Sequence, residues 1–390
     1  MKILVLSQIF PPARGGSGRW LFELYRRLTG FHVVVVAGRA PDDGVFDAAA
    51  PLPIERIDLQ FANWGVLTVR SAAQYLRALF ALRAVLVRSH PDVIHCGKCL
   101  PEGLLAVAIK RWKGVPFVCF VHGEELTLAE TSRELRWLTR AVLREALTVV
   151  ANSQHTRKML GERWGVVPER IAVMHPGVDT TRFTPAPRDA ATRERLRWTG
   201  RRVVLTVGAL QKRKGQDMMI RALPAIRQRC PDVLYAIVGE GWERPYLESL
   251  TAKLSVEDLV QFRTTPADDE LIACYQQCDL FALPNRQVGW DFEGFGIVLL
   301  EAQACGKPVV AGRSGGTVEA MKPSHTGELI ACETPDDLAE TVIRLLEAAD
   351  TRDHLGSQAR EWVCAHFDWT VLTEKARRAF ERPSFQYSVS

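Results

Sequence analysis

The sequence lacks several features that would each define a class of protein. Its 390 residues contain no run of about 18 apolar residues, so no segment is predicted to span a membrane. The first ten residues, MKILVLSQIF, contain one basic residue and a short apolar run before Pro-Pro, which predicts a strand and not a signal peptide. There is also no D-x-D motif, no internal repeat and no low-complexity segment. These absences favour a globular, cytoplasmic protein.

A metal or disulfide framework is not expected either. The nine cysteines are odd in number and scattered, and several lie in apolar runs, which is typical of reduced, buried thiols. Cys96 and Cys99 form a single CxxC with no second pair and no cluster of histidines nearby. We therefore expect neither a zinc site nor a redox site there.

The length and composition indicate a two-domain protein. A chain of 390 residues is too long for one ordinary core, and 47% apolar with 24% charged residues is typical of globular proteins. The charge is uneven: residues 1–185 carry 24 Lys and Arg against 16 Asp and Glu, or +8. The remainder carries 26 against 29, or −3.

Short β-branched runs alternate with helical patterns in two series. Near-continuous apolar strands separated by helices predict parallel sheets covered on both faces, hence an α/β fold with two doubly wound units. The strands are predicted at 2–7, 32–38, 92–96, 116–123, 148–153 and 171–177, and then at 203–210, 234–241, 259–263, 279–284 and 308–312. Ligands of such sheets bind at the carboxyl ends of the strands.

The domain boundaries follow from this pattern. Residues 1–183 are predicted to form the first domain and residues 201–367 the second, with the Pro-rich and charged segment 184–200 as a linker. Residues 368–390 contain a last helix and a tail. This helix either closes the second domain or crosses back to the first.

Two loops rich in glycine or cations favour phosphate binding. Gly15, Gly16 and Gly18 precede an amphipathic helix, whose N-terminus would offer N–H groups to an anion; a flexible turn is the equally simple alternative. The second predicted strand ends without an acid, which argues against an NAD-binding domain. In the second unit, VGALQKRKGQD places Arg213 and Lys214 in a loop after a strand, suited to a diphosphate or simply to solvent.

The stretch DFEGFGIVLLEA holds two glutamates eight positions apart, Glu293 and Glu301. Gly294 and Gly296 would let a ligand approach the backbone, and the helix from about Ile297 points its N–H groups toward it. About 12 Å along a helix would separate the carboxylates, a span that fits a nucleotide sugar. The alternative is a capping acid at 293 and a salt-bridged Glu301.

These motifs resemble those of the retaining glycosyltransferases of family 4, which have the GT-B fold. EGFGIVLLEAQACGKPVVAGRSGGTVE resembles the family's E-x7-E signature, and PPARGG resembles its N-terminal phosphate loop. HG at 122–123, NSQHT at 152–156, HPGVD at 175–179, RKG at 213–215 and VGEG at 238–241 occur in the family's order. The resemblance covers nearly the whole chain and implies two Rossmann-like domains that face a central cleft.

The resemblance also implies roles for single residues. The implied catalytic residues, which stabilise the leaving diphosphate or lie at the sugar, are His122, Glu293, Arg213 and Lys214. The implied donor-binding residues are Gly16, Arg213, Lys214, Thr265, Glu293, Gly294, Phe295, Gly296, Ile297, Val298 and Glu301. Among these, Glu293 holds the sugar and Glu301 the ribose, and the base lies near Arg263 to Pro266.

Two departures from the family pattern affect this assignment. Thr264 stands where glycine is usual, and Ala209 stands where many relatives have an arginine that contacts phosphate. Arg213 is expected to compensate for Ala209. Because no D-x-D motif is present, we expect no metal and no cofactor, with arginine and lysine stabilising the departing diphosphate. The family retains anomeric configuration.

Two helical stretches of the first half carry arginines. Arg133, Arg136, Arg140 and Arg144 fall on one helix face, and residues 69–90 contain four arginines and no acid among apolar residues. This pattern suits the outer face of any sheet-covering helix, and it equally suits a helix lying on anionic lipid at the inner face of the cell membrane. Nucleic acid is not expected as a partner, because aromatic stacking platforms do not accompany the charge.

The amino-acid sequence of the E-x7-E region is especially similar to that of bacterial mannosyltransferases that act on phosphatidylinositol mannosides. It implies a hexosyltransferase that moves mannose from GDP-mannose to a lipid-linked or polysaccharide acceptor. UDP-glucose and UDP-GlcNAc enzymes share most of the motif and remain alternatives. A GT-B sugar-nucleotide epimerase is a further alternative, as is a non-catalytic protein on the same fold.

Overall fold

The computed structural model describes residues 1–13, 15–61, 63–264 and 266–382, which form two compact units. Unit 1 comprises Met1–Pro176 and the C-terminal segment from Trp369, and unit 2 comprises Gly177–Asp368. Each unit is a parallel sheet between helices, as the sequence predicts.

The sheet of unit 1 has seven parallel strands in the order β3-β2-β1-β4-β5-β6-β7. Its central strands are buried along their whole length because helices cover both faces. The strands are β1 Lys2–Ser7, β2 His32–Gly38, β3 Ile54–Ile57, β4 Val93–Cys96, β5 Phe117–Val121, β6 Thr148–Ala151 and β7 Ile171–Val173.

Hydroxyl side chains cap the N-termini of three helices of unit 1. Thr68, Ser132 and Ser153 each accept a hydrogen bond from the backbone N–H three residues further on, which satisfies a donor that the helix leaves unpaired. The helices are α1 Gly16–Tyr25, α2 Asp43–Ala49, α3 Val69–Ser89, α4 Leu104–Lys113, α5 Glu124–Glu130, α6 Arg133–Glu145 and α7 Gln154–Trp164.

The sheet of unit 2 has six parallel strands in the order β10-β9-β8-β11-β12-β13. The strands are β8 Arg202–Val207, β9 Val233–Val238, β10 Val260–Arg263, β11 Leu280–Leu283, β12 Val309–Gly312 and β13 Gly327–Ile330. The helices are α8 Ala190–Arg195, α9 Gln216–Arg229, α10 Arg244–Lys253, α11 Asp268–Gln277, α12 Ile297–Ala304, α13 Pro335–Glu347 and α14 Ala349–Phe367. Because β8 and β11 are neighbours, the loops that follow them emerge side by side.

None of the helices in these described ranges combines the length and the apolar character needed to cross a membrane. All nine cysteines are free, and all but Cys364 are buried. Burial raises the pKa of the Cys274 thiol to about 12 and that of Cys278 to about 12, which favours the unreactive protonated form.

The segment 184–200 differs from the linker expected there. It lies within unit 2, where Arg193 is buried and donates hydrogen bonds to the carbonyl oxygens of Trp198 at 2.8 Å and Arg201 at 2.6 Å. Trp198 is also buried, and its Nε1–H donates to Gln261 on β10 at 2.8 Å. The high charge of this segment predicts that it is exposed to solvent. Instead, the buried Arg193 side chain holds a turn against the edge of the sheet.

The last helix, α15 Trp369–Phe380, belongs to unit 1 and packs on α1. Its final residue, Phe380, is fully buried and stacks on Tyr25, with ring centroids 6.4 Å apart. The ring of Phe380 also meets the His95 ring edge-on at 4.9 Å. The core of unit 1 is therefore completed by a segment distant in sequence.

We expect Arg193→Met to destabilise the protein by about 2–4 kcal/mol, because the buried carbonyl groups would lose their donor. Chemical denaturation followed by circular dichroism would measure this loss. The matched control is Arg195→Met, since Arg195 is exposed two residues further on, and its change should stay within about 0.5 kcal/mol. Equal stabilities of the two variants would contradict this account of the 184–200 segment.

Candidate functional site

The loops that follow β8 and β11 bring three of the residues singled out in the sequence together. The Lys214 Nζ lies 2.5 Å from the Glu293 Oε2, and the Arg213 Nε lies 4.0 Å from the same oxygen. All three side chains are buried. Asp291, which the sequence analysis did not single out, lies 3.7 Å from the Arg213 Nε through its Oδ1. Two cations and two carboxylates thus form one cluster at the carboxyl edge of the sheet.

A glycine contact and an ion pair fix the cationic loop. Gly215 has φ 76°, and an added Cβ there would lie 1.8 Å from the carbonyl oxygen of Pro284. The backbone N–H of Arg286 donates to the carbonyl oxygen of Arg213 at 2.9 Å, while its guanidinium binds both oxygens of Asp217 at 2.9 and 2.8 Å. Only glycine fits at position 215, so the loops after β8 and β11 hold one another in place.

Backbone contacts hold Glu293 in a similar way. The Gly316 N–H donates to the Glu293 carbonyl oxygen at 2.9 Å, and a Cβ at Gly315 would lie 2.0 Å from that oxygen. Gly296, with φ 87°, then precedes the first residue of α12. Gly294 and Phe295 are buried, whereas Ile297 and Val298 are partly exposed at the helix N-terminus. The family resemblance assigns the backbone from Gly294 to Val298 to the sugar and phosphates of the donor, and this assignment stays a prediction.

Glu301 lies one turn inside α12 and is buried. The hydroxyl of Tyr275, on α11, donates to its Oε2 at 2.7 Å. The sequence analysis missed Tyr275, because a tyrosine in an amphipathic helix pattern carries no signal of such a contact. The bond orients the carboxylate.

In unit 1, His122 follows β5 at the carboxyl edge of that sheet. Its ring Nε2 lies 2.7 Å from the carbonyl oxygen of Gly97, which can only accept, so Nε2 carries a hydrogen. Burial lowers the pKa of His122, which favours the neutral ring. Nδ1 is then the hydrogen-bond acceptor of this imidazole.

Gly16 is the first residue of α1, directly after the loop that follows β1. Gly18 lies so close to that loop that an added Cβ would be 2.3 Å from the carbonyl oxygen of Ile9. The glycines therefore permit close packing of the first helical turn on the loop. The helix N-terminus expected to meet phosphate is present.

The region expected to hold the base is only partly described. Thr265 lies outside the described residues. Arg263 forms an ion pair with Glu270, and Thr264 is exposed. An open cavity of about 590 Å³ lies at this end of β10, lined in part by Arg195 and Arg197. Ala209 is exposed, and its carbonyl oxygen accepts a hydrogen bond from the Gln216 side chain at 3.0 Å.

Comparison with known proteins decides the family. A model of Glycosyltransferase Family 4 matches residues 14–182, and a model of Glycosyl transferases group 1 matches residues 188–362. A GDP-mannose-dependent alpha-(1-6)-phosphatidylinositol monomannoside mannosyltransferase of Mycobacterium tuberculosis is 33% identical over 390 residues, covering 96% of each chain. The chain belongs to glycosyltransferase family 4. It is therefore a glycosyltransferase.

Further relatives agree with this membership. A D-inositol 3-phosphate glycosyltransferase of Salinispora arenicola is 35% identical to this family 4 chain, covering 91% of it and 84% of the relative. A crystal structure of Anabaena HepE in complex with UDP superposes with a TM-score of 0.80 at 24% identity, over 97% of this chain and 99% of HepE. The likeness to HepE shows the fold, which is GT-B.

Gly215→Ala and Gly289→Ala form a matched pair, because both positions have positive φ but only Gly215 meets another atom. We expect Gly289→Ala to cost about 1 kcal/mol from backbone strain alone. Gly215→Ala should cost several times more and should displace Arg213 and Lys214. Thermal unfolding and calorimetric titration with GDP would measure both effects. Similar losses in the two variants would argue against the fixed cationic loop.

Proposed function

We propose that this family 4 enzyme transfers mannose from GDP-mannose to a lipid-linked acceptor, with retention of configuration and an α-glycosidic product. The observation that carries the proposal is the buried cluster of Lys214, Arg213 and Glu293 ahead of the N-terminus of α12. The choice of mannose is supported by relatives that are named GDP-mannose-dependent mannosyltransferases and align over 96% of the chain.

The cluster suits departure of a nucleoside diphosphate. As the bond between the sugar and the diphosphate breaks, negative charge grows on the leaving oxygen, and Arg213 and Lys214 stabilise that charge. Their fixed positions mean that little reorganisation accompanies the reaction. In this mechanism the two cations do the work that a divalent metal does in other transferases, and no metal or cofactor is required.

In this mechanism Glu293 binds the transferred sugar. Its carboxylate accepts hydrogen bonds from hydroxyl groups of the transferred sugar, while Glu301 accepts from the ribose. The acceptor hydroxyl attacks on the face that the diphosphate leaves, and the leaving phosphate takes its proton. In this proposal the role of His122 is to offer its Nδ1 as a hydrogen-bond acceptor to the sugar. Gly16 and the residues Gly294 to Val298 contact the donor through their backbone.

We expect variants of residues at the two ends of the donor to differ. A variant at the ribose end should lose nucleotide affinity, and a variant at the diphosphate end should lose turnover rate. Glu301→Ala should weaken GDP binding about tenfold, because ribose hydroxyls lose a charged acceptor. Lys214→Ala should chiefly lower kcat, by about 100- to 1,000-fold, because the leaving group loses a cation. Calorimetry with GDP and initial rates with GDP-mannose would separate the two effects.

The control for charge removal is Lys253→Ala, an exposed lysine of unit 2 that should leave both quantities unchanged. Parallel assays with UDP-glucose and UDP-GlcNAc test the donor, and assays with a chelator test metal independence. The one-bond coupling between C1 and H1 of the transferred mannose tests retention. Normal turnover of both site variants would refute the site, and a strong preference for a UDP sugar would refute the donor.

We also propose that α3 and α6 of unit 1 lie on an anionic membrane surface, where a lipid-linked acceptor would be found. On α3, Leu76 and Phe80 are 67% and 76% exposed, and on α6 Trp137 is 68% exposed. Exposed arginines accompany these apolar side chains at helical spacing, namely Arg70, Arg77 and Arg83 on α3 and Arg133, Arg136, Arg140 and Arg144 on α6. The two helices begin side by side, since Glu134 accepts a hydrogen bond from the N–H of Leu67 at 2.8 Å. Apolar and cationic side chains together suit the boundary of anionic lipid.

The double variant Arg136→Gln/Arg140→Gln should weaken binding to phosphatidylglycerol vesicles about tenfold or more, because each arginine near an anionic surface contributes about 1 kcal/mol. Vesicle sedimentation at two salt concentrations would measure this. The matched control is Arg195→Gln/Arg197→Gln in unit 2, which removes the same charge from another surface. Equal binding by both double variants, or equal binding to uncharged phosphatidylcholine, would contradict the membrane proposal.

A further inference from the structure

Lys98 is a cation at the carboxyl edge of the unit 1 sheet that the mechanism above does not use. It lies two residues after the end of β4, next to Gly97, whose carbonyl oxygen accepts the hydrogen bond from the His122 ring. Its side chain is only partly buried, and in the part of the chain that the structure describes it has no ion-pair partner. The position is therefore both close to His122 and open to a ligand.

Two buried carboxylates at this edge of the sheet, Glu102 and Glu125, are occupied by backbone donors. The Gln8 N–H donates to Glu102 at 2.7 Å, and the His122 N–H donates to Glu125 at 2.8 Å. Both glutamates are buried, and burial raises the pKa of Glu102 to about 7, although Gln8 and Lys98 act to lower it. The local carboxylates thus compensate the charge of Lys98 only in part.

The neighbouring contacts hold this lysine in place. An added Cβ at Gly97 would lie 2.9 Å from the Leu21 Cδ1 and 3.0 Å from the Ser7 Oγ, so the residue before Lys98 is wedged between α1 and β1. The carbonyl oxygen of Lys98 accepts the N–H of Gly103 at 3.2 Å, which closes a short helical turn after it. The ammonium group therefore extends from a rigid segment.

From this arrangement we infer that Lys98 binds the phosphate group of the acceptor and so selects acceptors that carry one near the reacting hydroxyl. The inference rests on the proposed function, in which Arg213 and Lys214 already serve the diphosphate of the donor. A lysine is a compact charge with three donors and suits a phosphate oxygen. Lys98 has a specificity role here, because a phosphate-free acceptor would leave its charge without a partner.

The test uses the full chain saturated with GDP, so that phosphate probes cannot occupy the diphosphate position. Calorimetry measures the binding of D-inositol 3-phosphate, inorganic phosphate and uncharged myo-inositol to wild type, Lys98→Met, Lys98→Arg and Lys158→Met. Lys158 is an exposed lysine of α7 and serves as the control. GDP binding to each variant is measured separately.

We expect Lys98→Met to raise the Kd of both phosphate probes about tenfold, and Lys98→Arg to stay within about threefold of wild type. Lys158→Met should match wild type, and myo-inositol and GDP should bind all variants alike. Equal phosphate binding by wild type and Lys98→Met would overturn the inference, as would a loss confined to GDP or an equal loss for myo-inositol. If UDP binds in place of GDP, the donor proposal fails, and the same titrations with saturating UDP still test Lys98.

Discussion

The buried ion pair between Lys214 and Glu293 places opposite charges 2.5 Å apart in the interior of unit 2. Removing two such ions from water costs several kcal/mol each, and their attraction offsets this cost only if the geometry is fixed. The surrounding contacts supply that geometry, since Gly215 packs against Pro284 and Gly315 packs against the Glu293 carbonyl. These glycines therefore allow the close loop packing that fixes the positions of the two charges. The loops after β8 and β11 are held together by the same contacts.

The sequence could predict that Arg213, Lys214 and Glu293 lie at one edge of the sheet, but not that Asp291 joins them. Arg213, Lys214 and Glu293 stand in loops after strands, and strand ends in a parallel sheet share one edge. Tyr275 and the Arg286–Asp217 pair could not be predicted, because their contacts depend on how helices pack on the sheet. Whether Thr265 contacts the base stays a prediction.

The strands themselves followed closely from apolar periodicity, with two omissions. β3 and β13 were missed, and both lie at sheet edges, where one side of the strand is partly exposed and polar residues interrupt the apolar run. Several predicted strands also ran too far, because the predictions included loop residues beyond the last paired residue, such as 152–153 after β6 and 174–177 after β7. The role of segment 184–200 could not be read from composition, since Arg193 is charged and still buried.

The placement of α15 in unit 1 has a consequence for synthesis of the chain. Unit 2 is continuous in sequence, whereas Tyr25 and His95 are covered by Phe380, which is synthesised only after all of unit 2. At roughly 5–20 residues per second, about 200 residues of translation leave this apolar surface waiting for tens of seconds. The nascent first half therefore exposes an uncovered apolar surface until α15 has been synthesised, and chaperones would bind this surface.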